Sequence, residues 1–338
     1  MKELIITKDN AGGRLDKILT KYLDKAPKSF IYKMLRKKNI VLNDKKAAGN
    51  EIVQSGDCIK LYLADDTIIK FQRHPEGDPV KKSDFEKGLE SFDQEAFLQD
   101  NVIYEDEQII VLNKQAGLLS QKSKPGDVSL NDLMVAYIQA TQKEQAEETI
   151  PFTPGISNRL DRNTSGLVIA GKTLYASREL NRAIKERTLK KKYLCIVKGN
   201  VTKGEMLDGY LVKDEKNNQV TVLSDPGSGE GENRIITVYE PIRNLGDATL
   251  LEVDLITGKS HQIRAHLASI GHPIIGDSKY GDKEINTEYR KKFGTKRQLL
   301  HAYKIIFLQM AGELVYLNGQ HVDAPLPEDF SVILNQDI

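Results

Sequence analysis

The chain has 338 residues, 39% of them hydrophobic, and a formal net charge of +1. That length exceeds one average domain, and its apolar runs are too short to cross a bilayer, so two domains and no membrane partner are expected. The two cysteines, Cys58 and Cys195, lack metal or disulfide spacing and sit in strand-like apolar runs; they read as core thiols of a reducing, cytoplasmic setting. The opening residues MKELIITKDNAGG contain acidic side chains and no long apolar core, unlike a signal peptide.

The small net charge hides an asymmetry. Arg14 to Lys60 holds 12 Lys/Arg against 5 Asp/Glu, whereas Asp65 to Asp100 holds 5 against 10. A basic segment on a near-neutral body implies a polyanion met by one part of the chain. In RLDKILTKYL, the apolar Leu15, Ile18, Leu19, Tyr22 and Leu23 share one helix face. Pro27 marks a break, Ser29 is the expected N-cap, and FIYKMLRKK forms a second short helix. On it Lys33, Arg36 and Lys37 share a face, because three- and four-residue spacings align. NIVLN then turns extended, and CIKLYL alternates Ile59, Leu61 and Leu63 with Lys60 and Tyr62, a half-buried strand. A basic face on two helices backed by a small sheet suits phosphate contacts, which position RNA without reading its sequence. Residues 14–64 also resemble a small RNA-binding module shared by a ribosomal small-subunit protein and several RNA-modifying enzymes.

Residues 65–100 are acidic and aperiodic and read as a solvated linker, with a short helix expected in DFEKGLESFDQEAFLQD. Beyond it, QIIVLNK, GLVIAGK, KKYLCIVKG and ATLLEVDLITG read as strands. LYASRELNRAIKER and SHQIRAHLASIG read as helices, the second stopped at Gly271. Strands outnumber helices without a βαβ rhythm, so the expected class is α+β: a mainly antiparallel mixed sheet with flanking helices, plus a small N-terminal α/β module. The expected division is 1–64 for the basic module, 65–100 for the linker and 101–338 for the second body.

Several patterns lack the chemistry they suggest. His261 and His266 are five residues apart with no carboxylate in a metal-binding pattern, which argues against a zinc helix. PGSGEGE lacks the lysine and apolar helix of a phosphate loop and reads as a hairpin tip. Ser165 before Gly166 lacks the pattern of a hydrolase nucleophile. What remains is NRLDRNTSG, residues 158–166, where Asp161 stands between Arg159 and Arg162 on a loop entering a strand. Arg264, one turn into its helix, can reach a carboxylate with two N–H groups, and Tyr193 stands among lysines. Each alone reads as an ordinary ion pair or core tyrosine.

Together they match a family. NRLDRNTSGLVIAGKT resembles the catalytic motif of the RluA-type pseudouridine synthases, His-Arg-Leu-Asp-x-x-Thr-Ser-Gly. VLNKQAGLLSQ, KKYLCIVKG, LITGKSHQIRAHLASIGHPIIGDSKYG and RQLLHAYKIIF resemble four further blocks of that family, in its order, over roughly residues 101–310. The resemblance implies isomerisation of uridine to pseudouridine in structured RNA, foremost large-subunit ribosomal RNA or its precursor, with transfer RNA the alternative because relatives acting on it share the catalytic motif, by a monomer with no metal and no small-molecule cofactor. It implies that Asp161 is the nucleophile, attacking either the uracil ring or the ribose anomeric carbon. Arg264 would pair with Asp161 and hold it ionised, and Tyr193 would lie against the flipped base, stacking on it, with proton removal as a second, optional role. Arg159 would fill the space the nucleotide vacates. Arg162 is expected in a structural ion pair. Asn158, Gln115 and Gln121 stand where the family commonly has His, Pro and His, departures that bear on loop packing and specificity. An RNA-binding assembly factor without activity and a metal-dependent hydrolase are the rival classes; turnover and insensitivity to chelator separate them from the isomerase.

Overall fold

A computed structural model describes residues 1–7, 10–72, 97, 101–124, 126–141, 153–214, 219–223 and 233–336. Most of the expected acidic linker and its short helix, and the hairpin tip at residues 226–232, lie outside them. The chain divides into two compact units, one of Met1–Gln94 with Asp132–Gly155 and Gly171–Arg178, the other of Glu95–Asn131, Ile156–Ala170 and Glu179–Ile338.

The first begins with β1 (Lys2–Ile5), α1 (Leu15–Tyr22), α2 (Lys28–Arg36), β2 (Ile40–Leu42), β3 (Lys45–Lys46), β4 (Cys58–Leu61) and α3 (Asp65–Phe71). Its antiparallel sheet runs β1-β4-β2-β3. Leu15, Ile18, Leu19 and Tyr22 of α1 and Ile31, Met34 and Leu35 of α2 are buried in one core with Ile40, Ile59 and Leu61. The 3.6-residue period of the two helices and the alternation of β4 thus converge on one apolar interior. Two expectations need correction. Helix α2 starts one residue before Ser29 and has Pro27 at its N-cap, with no side-chain cap bond; proline's fixed φ suits the entry and its missing N–H costs nothing there. The module also runs past residue 64, because Ile68 and Phe71 of α3 pack onto its core. Arg178 belongs to this unit too, its guanidinium donating to the Ala11 carbonyl.

The remaining elements are β5 (Val102–Glu105), β6 (Ile109–Lys114), α4 (Leu130–Thr141), β7 (Gly155–Ile156), β8 (Ser165–Gly171), α5 (Leu174–Glu186), β9 (Leu189–Lys198), β10 (Glu205–Asp214), β11 (Gln219–Leu223), β12 (Asn233–Asn244) and β13 (Ala248–Leu255). They are followed by α6 (Gln262–Ser269), α7 (Lys283–Phe293), β14 (Leu300–Phe307), β15 (His321–Asp323) and α8 (Glu328–Leu334). An eleven-stranded sheet runs β11-β10-β12-β13-β9-β14-β8-β6-β5, with β15 on β14 and β7 on β8. The β14–β8 pair is parallel, whereas β10 to β13, β9 and β14 pair antiparallel, the mixed sheet expected from the sequence. Every residue of β6 and β8 is buried, which is why they read as unbroken apolar runs. Edge strand β11 alternates exposed and half-buried residues. Among the described residues no helix is long and apolar enough to cross a membrane. Cys195 is buried and Cys58 half-buried, both as free thiols.

Candidate active site

The loop from Ser157 to Thr164 leads into β8 and is fixed at nearly every residue. Asn158 donates from Nδ2 to the Leu167 carbonyl (3.2 Å) and accepts the Ile169 N–H at Oδ1 (2.9 Å), lacing the loop to β8. Ser120 Oγ donates to the Leu160 carbonyl (2.8 Å) and accepts the Leu160 N–H (3.0 Å). The Lys114 ammonium, wholly buried at the end of β6, donates to the carbonyls of Gln115, Leu118 and Arg162 at 2.9–3.0 Å. Burial, with Arg297 adding to it and Asp161 opposing, pushes Lys114 down to about 7. Arg162, expected in an ion pair, makes none among the described residues. Its Nε donates to the Gly117 carbonyl (3.0 Å) while the Gly117 N–H donates to the Arg162 carbonyl (2.9 Å), a clasp between two turns.

Thr-Ser-Gly then carries the chain into the sheet. The Thr164 N–H closes a turn on the Asp161 carbonyl (3.0 Å), and Ser165 Oγ meets buried His301 Nδ1 (2.9 Å). Gly166 has φ +113°, and a Cβ there would lie 2.2 Å from the Ala302 carbonyl oxygen. Only glycine allows β8 and β14 to approach this closely.

Asp161 meets Arg264, 103 residues away, at the start of α6: Nη1 donates to Asp161 Oδ2 at 2.7 Å. The two-point grip expected on Asp161 is made elsewhere. Arg264 Nε and Nη2 hold Oδ2 and Oδ1 of Asp277 at 2.6 and 2.9 Å, and Asp161 receives the third donor. Asp277 has a fully buried side chain and also accepts the N–H groups of Lys279 and Tyr280 at 2.8 and 3.1 Å. Burial works against the charge of Arg264, but the Asp277 and Asp161 carboxylates outweigh it and raise the guanidinium above its ordinary value. Its carbon also lies 5.2 Å from the centre of the Tyr280 ring. A rigid, buried fork therefore presents one N–H to the oxygen of Asp161.

Asp161 opens on a cavity of about 1120 Å³ whose lining includes Arg159, Tyr193, Lys191, Lys259 and His261. Tyr193 is buried and lines its wall from β9. Burial, reinforced by anionic Asp161, pushes the phenol well above its ordinary value and keeps it protonated at neutral pH. It can stack and donate, but it does not begin as a base, a limit on the proton-removing role expected of it. Arg159 is exposed at the cavity with no hydrogen-bond or ion-pair partner among the described residues. In the first unit, Lys33, Arg36 and Lys37 are exposed opposite the buried Ile31, Met34 and Leu35. No group of three or more His, Cys, Asp or Glu among the described residues could hold a metal ion.

Asp277, Tyr280, His261 and Lys114 are site residues to which the sequence reading gave no role. Their only signal was membership of the family-like blocks GKSHQIRAHL, GDSKYG and VLNKQAG.

A family model described as RNA pseudouridylate synthase matches residues 108–269. The Ribosomal large subunit pseudouridine synthase C of Vibrio vulnificus is 30% identical over 330 residues, spanning 97% of this chain and 94% of that protein. The protein of the same name from Vibrio cholerae is 29% identical over 309 residues, 91% of this chain and 89% of its own. Among solved structures, Human RNA Pseudouridylate Synthase Domain Containing 4 shares the fold with a TM-score of 0.56 at 20% identity, over 71% of this chain and 94% of that one. With 30% identity along nearly the whole length of both proteins, the chain belongs to the RNA pseudouridylate synthase family.

Proposed function

We propose that this pseudouridine synthase acts on large-subunit ribosomal RNA or its precursor, as a monomer, with Asp161 as the nucleophile. The observation that carries the reading is the Arg264 fork, pinned by buried Asp277 and holding one oxygen of Asp161 at 2.7 Å beside the cavity. A carboxylate gripped on one oxygen keeps the other for attack on a flipped uridine. If it attacks the anomeric carbon, the C1′–N1 bond breaks and its electron pair stays on the uracil. The base turns, C5 bonds to C1′ as the carboxylate leaves, the C5 proton is lost, and N1 gains one. If it adds to the ring instead, the same bonds exchange through an adduct at C6. Neither route changes net oxidation state or moves a group between molecules beyond exchanging a proton with solvent, so no redox or group-carrying cofactor is needed.

In this reading Tyr193 stacks on the base as a neutral phenol, Arg159 enters the vacated stack, and Lys33, Arg36 and Lys37 contact phosphates of the surrounding RNA. The ribosomal target rests on the names of the relatives from both Vibrio species and on the basic N-terminal module. Asp161→Asn tests the chemistry, because the amide keeps shape but cannot act as an anionic nucleophile. Pseudouridine formation should vanish while RNA binding persists; turnover within tenfold of wild type would sink the assignment. Pseudouridine mapping of large-subunit RNA from a strain lacking the protein tests the target, with one or more sites reverting to uridine.

A further inference from the structure

His261 stands at the entrance to α6 in the left-handed region, φ +58° and ψ +11°, with no side-chain cap bond. A residue bearing a Cβ is unfavourable there, and such positions gather at functional sites. Its side chain is only 13% exposed, lines the same cavity as Asp161, and packs edge-on against Tyr280 with ring centres 5.6 Å apart.

The hydrogen bonds around Tyr280 bear on which imidazole nitrogen carries the proton. Tyr280 Oη accepts the Val220 N–H at 2.8 Å and lies 2.9 Å from His261 Nδ1, and the tautomer taken here is the one in which the phenol gives its proton to Nδ1. Nδ1 is then the acceptor, and the ring proton lies on Nε2. Nε2 is 4.0 Å from Asp161 Oδ2, too far for a hydrogen bond, and that oxygen already takes Arg264. Burial, with Arg264 and Lys279 adding to it and Asp161 and Asp277 opposing, lowers the imidazole below its ordinary value and leaves it neutral at pH 7. The result is an uncharged donor beside the nucleophile, with no hydrogen-bond partner for Nε2 among the described residues.

We propose that His261 is a further catalytic residue, donating a hydrogen bond from Nε2 to a uracil carbonyl oxygen as negative charge develops on the base. The proposal rests on the isomerase reading above. When C1′–N1 breaks, the electron pair left on N1 spreads onto O2 and O4; when a carboxylate adds at C6, charge collects on O4. Either route makes a carbonyl oxygen anionic close to Asp161. A neutral, pre-oriented imidazole stabilises that oxygen without transferring its proton. Arg264 holds the nucleophile, His261 receives the leaving charge, and Tyr280 orients both.

Two variants separate this role from a backbone one. Asparagine tolerates the left-handed conformation, but its amide ends short of the Nε2 position. Glutamine reaches that position with an N–H but suits the backbone less well. A donor role ranks His261→Gln above His261→Asn in single-turnover rate, whereas a purely conformational role ranks them the other way.

The substrate supplies the second arm. RNAs carry 2-thiouridine or 4-thiouridine at the uridine that the wild-type protein converts, sulfur being the poorer acceptor. One of the two should slow the wild type at least tenfold yet slow His261→Asn by less than twofold, since the contact is already gone. Asn equal to or above Gln, or thio effects of the same size in wild type and variant for both positions, overturns the proposal. The two readings fail separately. Turnover by Asp161→Asn removes the nucleophile assignment, whereas equal thio effects in an enzyme that needs Asp161 remove only the role of His261.

Discussion

Asp277→Asn tests the support of the site without touching the nucleophile. Asp277 has no exposed side-chain surface, and Arg264 is 6% exposed. Removing one partner of such a pair leaves a charge buried without its counter-ion, which costs about 3–5 kcal/mol. Arg264 keeps its contact with Asp161, and the amide oxygen of Asn still accepts one N–H, so the loss belongs at the lower end, about 3 kcal/mol. That is roughly a hundredfold in the unfolding equilibrium. With its fork held by Asn at one point instead of two, Arg264 orders Asp161 less well, and kcat should fall at least tenfold while RNA affinity stays near wild type.

The pH dependence follows from the same pair. Burial alone would raise the Asp277 carboxyl, but Arg264 and the N–H groups of Lys279 and Tyr280 outweigh it and lower it below the ordinary carboxylate value. A depressed folded value stabilises the protein above the unfolded value of about 3.9 and is lost as pH falls through the folded one. The wild-type advantage should therefore be constant from about pH 5 upward and shrink in stronger acid. Urea titrations across that range measure it, and tritium release from 5-tritiated uridine reports activity, since the C5–H bond must break. A loss under about 1 kcal/mol, or one that grows toward acid pH, refutes the reasoning.

Arg159→Ala should impair stem substrates more than unstructured ones, because only in a stack does flipping leave a vacancy costing a few kcal/mol. Equal fractional losses in single-turnover rate on matched RNAs would leave Arg159 as an electrostatic support. Replacing Lys33, Arg36 and Lys37 together by Gln changes only exposed side chains and should preserve the fold. If all three contact phosphates, the slope of log affinity against log salt should fall by about 2–3 units on long ribosomal RNA. An unchanged slope would show that this face binds something else.

Local chemistry made much of this protein readable in one dimension. The period of Leu15, Ile18, Leu19 and Tyr22 fixes a helix face wherever the helix packs, and the run Ile109–Leu112 marks a strand buried on both sides. Asp161, Tyr193 and Arg264 stood out because they sit in blocks whose order is itself a sequence property. Elements without such a signal went unread: β10 and β12, the loop-linked α7, and α3, whose acidic start resembled the stretch that follows. Pairings between distant residues were decided by packing. Both Asp161 and Asp277 are available to Arg264, and no spacing tells which receives two N–H groups; the direction of the fork is set by how α6 and the Asp277 loop lie against the sheet. Lys114 ends a strand-like run with nothing local to mark a role, and the three carbonyls that close around it meet only in the fold. The proton of His261 depends on Tyr280 and Val220, which neighbour it only in space. A sequence carries side-chain identity and local period, whereas the partner of a buried polar group depends on distance and angle, which exist only once the chain has folded.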